Sequence, residues 1–482
     1  MTWAWMKEVP FYHKGIIMTS VSDPRLVREA LELCLSHWPV FRSIAVEYSE
    51  NLRLLVALRA QRSFFDLAIS NHSEVDSVKA LEELPIRMAP QKTGGVFQGL
   101  SFGAVIASVR STGTIGVIFS ANHAVYDGRS LQGWMVDLGR IIRSEPPVER
   151  APYKLFADAY YFYQDSELAK EAQEHYKGVL KHGQPLFDAL WPSGKDLVPV
   201  RTTATENGSR LSNNPIKEPL DQSAPQDTNH AAEFAATIEQ TRSCPNMTDA
   251  YKNRGMRAST VVKMAICLFN CLQTGKVYAI FTVFTGGQTW PFIHQDIAAH
   301  LPSPDLIAGP TMTSQVNVTK VDYHETINQL FARIEEEQKS SFRHQHLPRR
   351  MAPQIDEMCE GLGLQASRQV FDWIPGWEKD SGTRNDKGQH TARILPSARK
   401  NSPPSGVVWL CGRSGDDSLL VRLNWNPALF PKEQAAAHVG LIYDLVEWIC
   451  DAGNGEKQIE DVSKTFQCMG SSSKRARSSS KL

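Results

Sequence analysis

The chain carries no net charge: among its 482 residues, 52 lysines and arginines balance 52 aspartates and glutamates. With no global field to draw in nucleic acid or an acidic membrane, a small molecule or another protein is the expected partner. A dense cysteine framework is also missing. Cys34, Cys244, Cys267, Cys271, Cys359, Cys411, Cys450 and Cys468 are scattered, with no Cys-x-x-Cys pair. Cys267 and Cys271 stand one turn apart in the apolar stretch "VVKMAICLFNCL", which reads as buried thiols and not as metal ligands. A reduced, intracellular setting is expected. No apolar run reaches the roughly 18 residues that cross a bilayer. The opening "MTWAWMKEVPFYHKG" lacks the basic start and apolar core of a signal peptide. Absent too are Gly-x-Ser-x-Gly, Gly-x-Gly-x-x-Gly, the phosphate-binding Gly-x-x-x-x-Gly-Lys loop and His-Glu-x-x-His. A serine triad, a dinucleotide site and a zinc protease site are therefore unsupported, and neither a metal nor a bound cofactor is expected.

What is present is ordinary globular composition, 42% hydrophobic and 22% charged, in a chain too long for one core. Asp23-Pro24 opens a helical pattern that Pro39 stops. "GAVIASVR" (103–110) and "TIGVIFSA" (114–121) predict a hairpin, and Ser130 is expected to cap a helix over "LQGWMVDLGRIIRS". Residues 154–182 predict a long helix with one break. Residues 192–230 are rich in Pro, Ser, Asn and Thr and predict a linker. Beyond it, "STVVKMAICLFNCLQ" predicts a helix capped by Ser259, "KVYAIFTVF" a strand ending at Gly286-Gly287, and "KEQAAAHVGLIYDLVEWICDA" a closing helix. The pattern is α+β. The expected division is a first lobe at 1–190, a linker at 191–231, a second lobe at 232–468 and a disordered basic tail at 469–482. That tail ends in Ser480-Lys481-Leu482, the tripeptide read by the peroxisomal import receptor, so a peroxisomal location is expected.

One segment concentrates chemistry: "FSANHAVYDGRSLQGW" (119–134), where a strand ends at Asn122-His123 and Asp127-Gly128 precedes a helix. An imidazole at a strand end is rigidly held and, with an unperturbed pKa of about 6.5, suited to proton transfer near neutrality. Asp127 could orient it, or could pair elsewhere and brace the loop. The Gly128 amide can approach a developing oxyanion. With no enzyme nucleophile in the pattern, the chemistry suggested is deprotonation of a nucleophile that the substrate supplies.

His123-Ala-Val-Tyr-Asp127-Gly128 resembles the HHxxxDG motif of nonribosomal peptide synthetase condensation domains, part of a superfamily with chloramphenicol acetyltransferase and the HxxxD acyltransferases. The likeness runs along nearly the whole chain. It continues in "LCLSHWPVFRS" (33–43), "YKLFADAYY" (153–161), "MRASTVVKMAICLFNCLQTGKVYAIFTVFTGG" (256–287) and "LIAGPTMTSQVNV" (306–318). The Asp-Phe-Gly-Trp-Gly box of plant acyltransferases is absent, which favours the condensation branch over the plant one; the resemblance as a whole implies fungal secondary metabolism.

The resemblance implies two chloramphenicol-acetyltransferase-like lobes forming a V-shaped pseudodimer with a central tunnel. His123 would be the catalytic base, Asp127 would brace the loop through a salt bridge to Arg42, and the Gly128 backbone would flank the acyl carbonyl. Asn122 replaces the motif's first histidine, and Val316-Asn317-Val318 replaces a Pro-x-Arg. The implied activity is acyl transfer from a thioester, on coenzyme A or on a carrier protein acting in trans, to an amine or alcohol, by a monomer. A non-catalytic recruitment module and a cyclisation on the same fold are the alternatives.

Overall fold

The computed structural model describes residues 12–49, 52–86, 99–192, 236–286, 306–347, 357–374, 382–384, 390–395, 406–415 and 417–466. The expected linker from residue 193 on, the tail and its Ser480-Lys481-Leu482 lie outside the described residues.

The first lobe begins with β1 (Tyr12–Thr19) and α1 (Pro24–His37), whose N-cap Asp23 accepts from the Arg25 amide at 2.9 Å. Buried Val27, Ala30, Leu31, Cys34 and Leu35 fall on one face at helical spacing. Then come β2 (Ser43–Ser49), β3 (Leu52–Ala57), α2 (Arg62–Ala68), β4 (Ile69–Val75) and α3 (Val78–Glu83). The expected hairpin is β5 (Phe102–Val109) and β6 (Thr114–Asn122), turned at Gly113, whose φ of 64° suits a residue without Cβ. Next is α4 (Gly128–Ile142). Its cap differs from the expected one: Asp127 is the N-cap and Ser130 the third helical residue of a capping box. Each side chain satisfies the other's main-chain amide, which neither residue alone could do.

Short β7 (Ala151–Pro152) leads into α5 (Tyr153–Tyr163) and α6 (Glu167–Leu180), the long helix broken where Ser166 caps the second piece. After α7 (Gln184–Phe187), the second lobe holds β8 (Ala236–Ser243), α8 (Pro245–Arg254) and α9 (Ala258–Thr274). Ser259 does not cap α9. The N-cap is Arg257, with no side-chain cap bond, and the helix is instead held by a face that is buried almost without interruption from Thr260 to Cys271. The lobe continues with β9 (Tyr278–Thr285), β10 (Ile307–Ala308), β11 (Thr313–Lys320), α10 (Ile327–Arg343), α11 (Glu357–Ala366) and β12 (Gln369–Trp373). The chain then runs through β13 (Gly382–Arg384), β14 (His390–Leu395), β15 (Val407–Arg413), β16 (Ser418–Trp425) and α12 (Lys432–Cys450).

These strands form two six-stranded sheets, ordered β13-β14-β1-β6-β5-β4 and β11-β9-β12-β15-β16-β8. Each lobe thus repeats one plan, a mixed sheet with helices packed on it. In the first, Phe41, Phe102, Phe119 and Trp134 stack at centroid distances of 5.4–6.0 Å between α4 and the sheet. In the second, α9 and α12 cover one face with a core that includes Val262, Phe269, Ile442 and Val446.

The division at the 191–231 linker does not separate the two sheets along the chain. Strands β13 and β14, late in the chain, complete the first sheet by pairing with β1, which satisfies an edge that β1 would otherwise leave open. Leu180, Leu186 and Leu190, early in the chain, pack with Ile280 of β9. Strands β7 and β10 pair in parallel, Ile307 beside Ala151 and Ala308 beside Pro152, so both halves of the chain are sewn into each other.

No single described helix is long and apolar enough to cross a membrane. Cys34, Cys244, Cys267, Cys271, Cys411 and Cys450 are buried free thiols.

Gly309, in the Gly-Pro stretch after β10, shows how tight the sewing is: a Cβ there would lie 2.5 Å from two ring carbons of Tyr153. Gly309→Ala is therefore expected to destabilise by about 1–3 kcal/mol through overpacking, read as a lower midpoint in denaturant. Gly363→Ala, inside α11 where a Cβ meets nothing within 4 Å, serves as the control and should hold or raise the midpoint.

Candidate active site

The Asn122-to-Gly128 segment connects the end of β6 to α4, and its geometry is fixed by hydrogen bonds from both lobes. The Asn122 amide donates to Ser101 O at 2.9 Å, and its Oδ1 accepts from the Ala124 amide at 2.8 Å, turning the chain out of the strand. Asn122 is fully buried, and its Nδ2 has no hydrogen-bond partner among the described residues. Neutral Asn thus fits a place where a charged imidazole would have to be desolvated.

Asp127 is the hub. Its Oδ1 accepts from the Ser130 amide at 2.7 Å, capping α4. Its Oδ2 accepts from the Thr311 amide at 2.8 Å and the Met312 amide at 3.0 Å, which belong to the other lobe. Thr311 Oγ1 in turn donates to Gly286 O at 2.8 Å, at the end of β9. One buried carboxylate therefore fastens the motif loop, the N-terminus of α4 and the second lobe together. A carboxylate before α4 also complements the positive end of that helix.

Arg42 is not its partner, contrary to the expected salt bridge. The Arg42 guanidinium is directed to main-chain carbonyls: Nε donates to Leu35 O at 2.9 Å, and the terminal nitrogens reach Leu58 O and Ser36 O. The Leu58 amide returns a bond to Arg42 O at 2.9 Å. Arg42 closes the corner between α1 and β3, while Thr311 and Met312 supply to Asp127 what the arginine was expected to supply. Burial alone lowers the Arg42 pKa; no carboxylate raises it.

His123 remains accessible to solvent between its buried neighbours Asn122 and Ala124, and its ring lies 4.5 Å from that of Tyr126, tilted by 31°. Dense surroundings lower its pKa below 6.5; its own main-chain carbonyl and the Asp127 charge act in the opposite direction but more weakly. The imidazole is therefore neutral at physiological pH, the state a base needs. Tyr126 and Trp134 belong to the core beneath the loop. Gly128 is exposed, and a Cβ there would meet nothing within 4 Å; the first turn of α4 leaves open space beside it. In place of the expected Pro-x-Arg, Val316 and Val318 pack with Ile280 and Leu362, and Asn317 bonds Thr319 at 3.2 Å.

Residues that sequence reasoning passed over complete the site. Thr311 and Met312 contribute through main-chain amides, which no residue type advertises, although they lie inside a stretch already singled out. Arg129 lies against Gly286, its Nε 3.2 Å from where a Cβ would stand. Asp372 of β12 feels the charges of both Asp127 and Arg129. Among the described residues no group of three or more His, Cys, Asp or Glu side chains is arranged to hold a metal ion.

No family model matches the chain. In sequence it is 20% identical over 351 residues to apicidin F synthase of Gibberella fujikuroi, an alignment that takes in 71% of this chain and 6% of that protein. The chain thus spans a small fraction of the curated relative it matches. In structure it is similar to the starter condensation domain of rhizomide synthetase RzmA, with TM-score 0.63, 12% identity and coverage of 95% of this chain and 96% of that one. It is also similar to the first condensation domain of the calcium-dependent antibiotic synthetase in complex with a substrate analogue, with TM-score 0.61, 10% identity and 93% of each chain covered. A third similar structure is the SgcC5 protein from Streptomyces globisporus, with TM-score 0.60, 16% identity, and 91% of this chain and 92% of that one covered. The fold is that of condensation domains, a chloramphenicol-acetyltransferase-like pseudodimer.

Separate roles for Asp127 and Arg42 predict independent energetics. Asp127→Ala strands three buried amides and is expected to cost about 3–5 kcal/mol, whereas Arg42→Met perturbs only the α1–β3 corner. In a double-mutant cycle measured in denaturant, the two losses should add to within about 0.5 kcal/mol. A coupling of 2 kcal/mol or more, by about the same yardstick, would restore the salt bridge.

Proposed function

We propose that the chain transfers an acyl group from a thioester to an amine or alcohol, with His123 as the general base. The observation that carries this reading is a solvent-accessible imidazole, kept neutral by its surroundings, on a loop that Asp127 locks to both lobes of a condensation-domain fold. Nδ1 is the ring nitrogen within reach of a histidine's own carbonyl, and that carbonyl raises the His123 pKa. On this reading Nδ1 keeps the proton, and Nε2 presents its lone pair to the acceptor.

The step balances without a covalent enzyme intermediate. Nε2 takes the proton of the acceptor's amine or hydroxyl as its nitrogen or oxygen bonds to the acyl carbon. On this reading the carbonyl oxygen then carries negative charge beside the N-terminus of α4, and the Gly128 amide donates to it. Collapse breaks the carbon–sulfur bond, and the imidazolium returns the proton to the thiolate. Asp127 does not take the proton: its oxygens are committed to the Ser130, Thr311 and Met312 amides.

Condensation domains work with carrier-bound thioesters, and a carrier supplied in trans fits this chain. We favour coenzyme A as the carrier of the acyl group, in keeping with the Ser480-Lys481-Leu482 ending and the acyl-CoA chemistry of peroxisomes. Deleting those three residues from a fluorescent fusion is expected to convert punctate fluorescence to diffuse; unchanged puncta would remove this support for a CoA donor.

For the transfer itself, His123→Ala is expected to lower kcat by about 10²–10⁴-fold, assayed with acyl-CoA donors and an alcohol acceptor so that the acceptor does not titrate. Because the folded pKa of His123 lies below 6.5, the base is fully present above that value. The rate should stay flat there and fall only as pH drops through the lowered pKa. Equal rates for the wild type and His123→Ala would defeat the assignment.

A further inference from the structure

Asp372 stands out among the carboxylates near the lobe seam. Along β12, Phe371 faces the helix-covered core, where it meets Phe281 edge-on at 6.4 Å. Strand alternation therefore turns Asp372 to the opposite face of the sheet. There it is registered beside Phe284 of β9 on one side and Leu410 of β15 on the other. From Phe284, β9 runs on to Gly286, against which Arg129 lies and whose carbonyl Thr311 holds. This places Asp372 on the face turned away from that core, within electrostatic reach of Asp127 and Arg129.

Two acids at the start and in the middle of α4 treat charge very differently. Asp127 is bonded by three main-chain amides. Asp137, fully buried, accepts from Trp38 Nε1 at 2.8 Å, Arg150 Nε at 2.8 Å and the Val148 amide at 3.2 Å. The Asp372 carboxylate, by contrast, has no hydrogen bond or ion pair among the described residues, and the residue is only partly covered. Burial raises its pKa to about 7, the Asp127 charge pushes the same way, and Arg129 opposes them. From β15, the Cys411 thiol is also within its electrostatic reach. A carboxylate kept unpaired in such surroundings destabilises the fold, and Phe284 and Leu410 on the adjacent strands bring no donor. Beyond the Arg129 charge, what the carboxylate lacks among the described residues is a hydrogen-bond donor, which a cation from outside would bring.

We propose that Asp372 is a substrate-selecting residue that binds a basic nitrogen, a primary ammonium, on the substrate held between the lobes. An ammonium is a compact donor with three protons, so it would satisfy the carboxylate and cancel its charge at once. An anionic group in the same place would meet repulsion from both Asp372 and Asp127. The identity of the bound group as a substrate rests on the acyl-transfer reading; the binding does not.

The test uses pentylammonium chloride, 1-pentanol and sodium pentanoate as probes, at equal ionic strength and above pH 7. Binding is read by calorimetry to the full chain and to Asp372→Asn and Asp372→Glu. Pentylammonium should bind the wild type about 10-fold or more tightly than Asp372→Asn, with the Glu variant recovering part of the difference. The two other probes should not discriminate among the three proteins. Equal affinity of pentylammonium for wild type and Asp372→Asn, or a wild-type preference for pentanol or pentanoate, overturns the proposal.

Stability gives a second readout. The folded pKa is raised from 3.8 to about 7, so the folded state binds the proton more tightly, and stability is lost as pH rises through that window. Asp372→Asn should therefore melt higher than wild type above pH 7, the difference closing towards acid. A variant less stable than wild type at every pH would mark a merely structural aspartate. His123→Ala should bind pentylammonium as the wild type does. If the wild type transfers no acyl group from any thioester yet keeps the Asp372-dependent binding, the acyl-transfer reading falls and this one stands.

Discussion

A single carboxylate decides the geometry of this molecule. Asp127 divides its two oxygens between lobes, Oδ1 to the Ser130 amide of α4 and Oδ2 to the Thr311 and Met312 amides across the seam. Because a buried carboxylate without donors is so unfavourable, these bonds are made together or the loop does not hold its shape. The position of His123 follows, four residues back along a segment whose other end is tied by Asn122 to Ala124 and Ser101. The histidine needs no bond of its own to be well placed, since both ends of its loop are fixed, and its ring stays accessible.

The rest of the first lobe holds that loop up. Asp137 and Arg150 form a buried ion pair at 2.8 Å, with Trp38 donating to the same carboxylate and the Arg150 guanidinium 5.0 Å above the Trp38 ring. Such a pair contributes little net stability against an apolar replacement, but it admits one arrangement of α4 against the end of α1. The arginine that the family pattern assigned to Asp127 works elsewhere on the same principle: Arg42 gathers carbonyls left open where α1 ends. Gly309 pressed on Tyr153 completes the seam by contact instead of charge.

Local order was legible in the residues. Asp23-Pro24 announced α1, and the alternation on either side of Gly113 announced β5 and β6. The apolar stretch around Cys267 announced α9. What escaped was long-range. β1 and β14 pair across most of the chain's length, and β12 runs parallel to both its neighbours, pairings that no short window encodes. The lobe boundary failed for the same reason, since β13 and β14 return to the first sheet. At the site, His123 and the loop around it could be read from the motif, because rigid placement of an imidazole needs particular residue types in a particular order. The partner of Asp127 could not, because main-chain amides look alike whatever side chain they carry, and an arginine nearby in the pattern drew the inference instead.

Asp372 was invisible for yet another reason. Aspartate is a poor strand former, and in "VFDW" it interrupts an otherwise apolar run, a weak irregularity that only the sheet register turns into a position. Three acids thus have three fates: Asp137 neutralised by Arg150 within the first lobe, Asp127 saturated by amides across the seam, and Asp372 beside Phe284 and Leu410 with no hydrogen bond or ion pair among the described residues. The first two make the frame rigid, which lets the third stay open. A fold that left all three unsatisfied would not hold its lobes together; one that satisfied all three would present no charge to a ligand. The distribution found here leaves one charge within electrostatic reach of Asp127, the hub of the loop that carries His123.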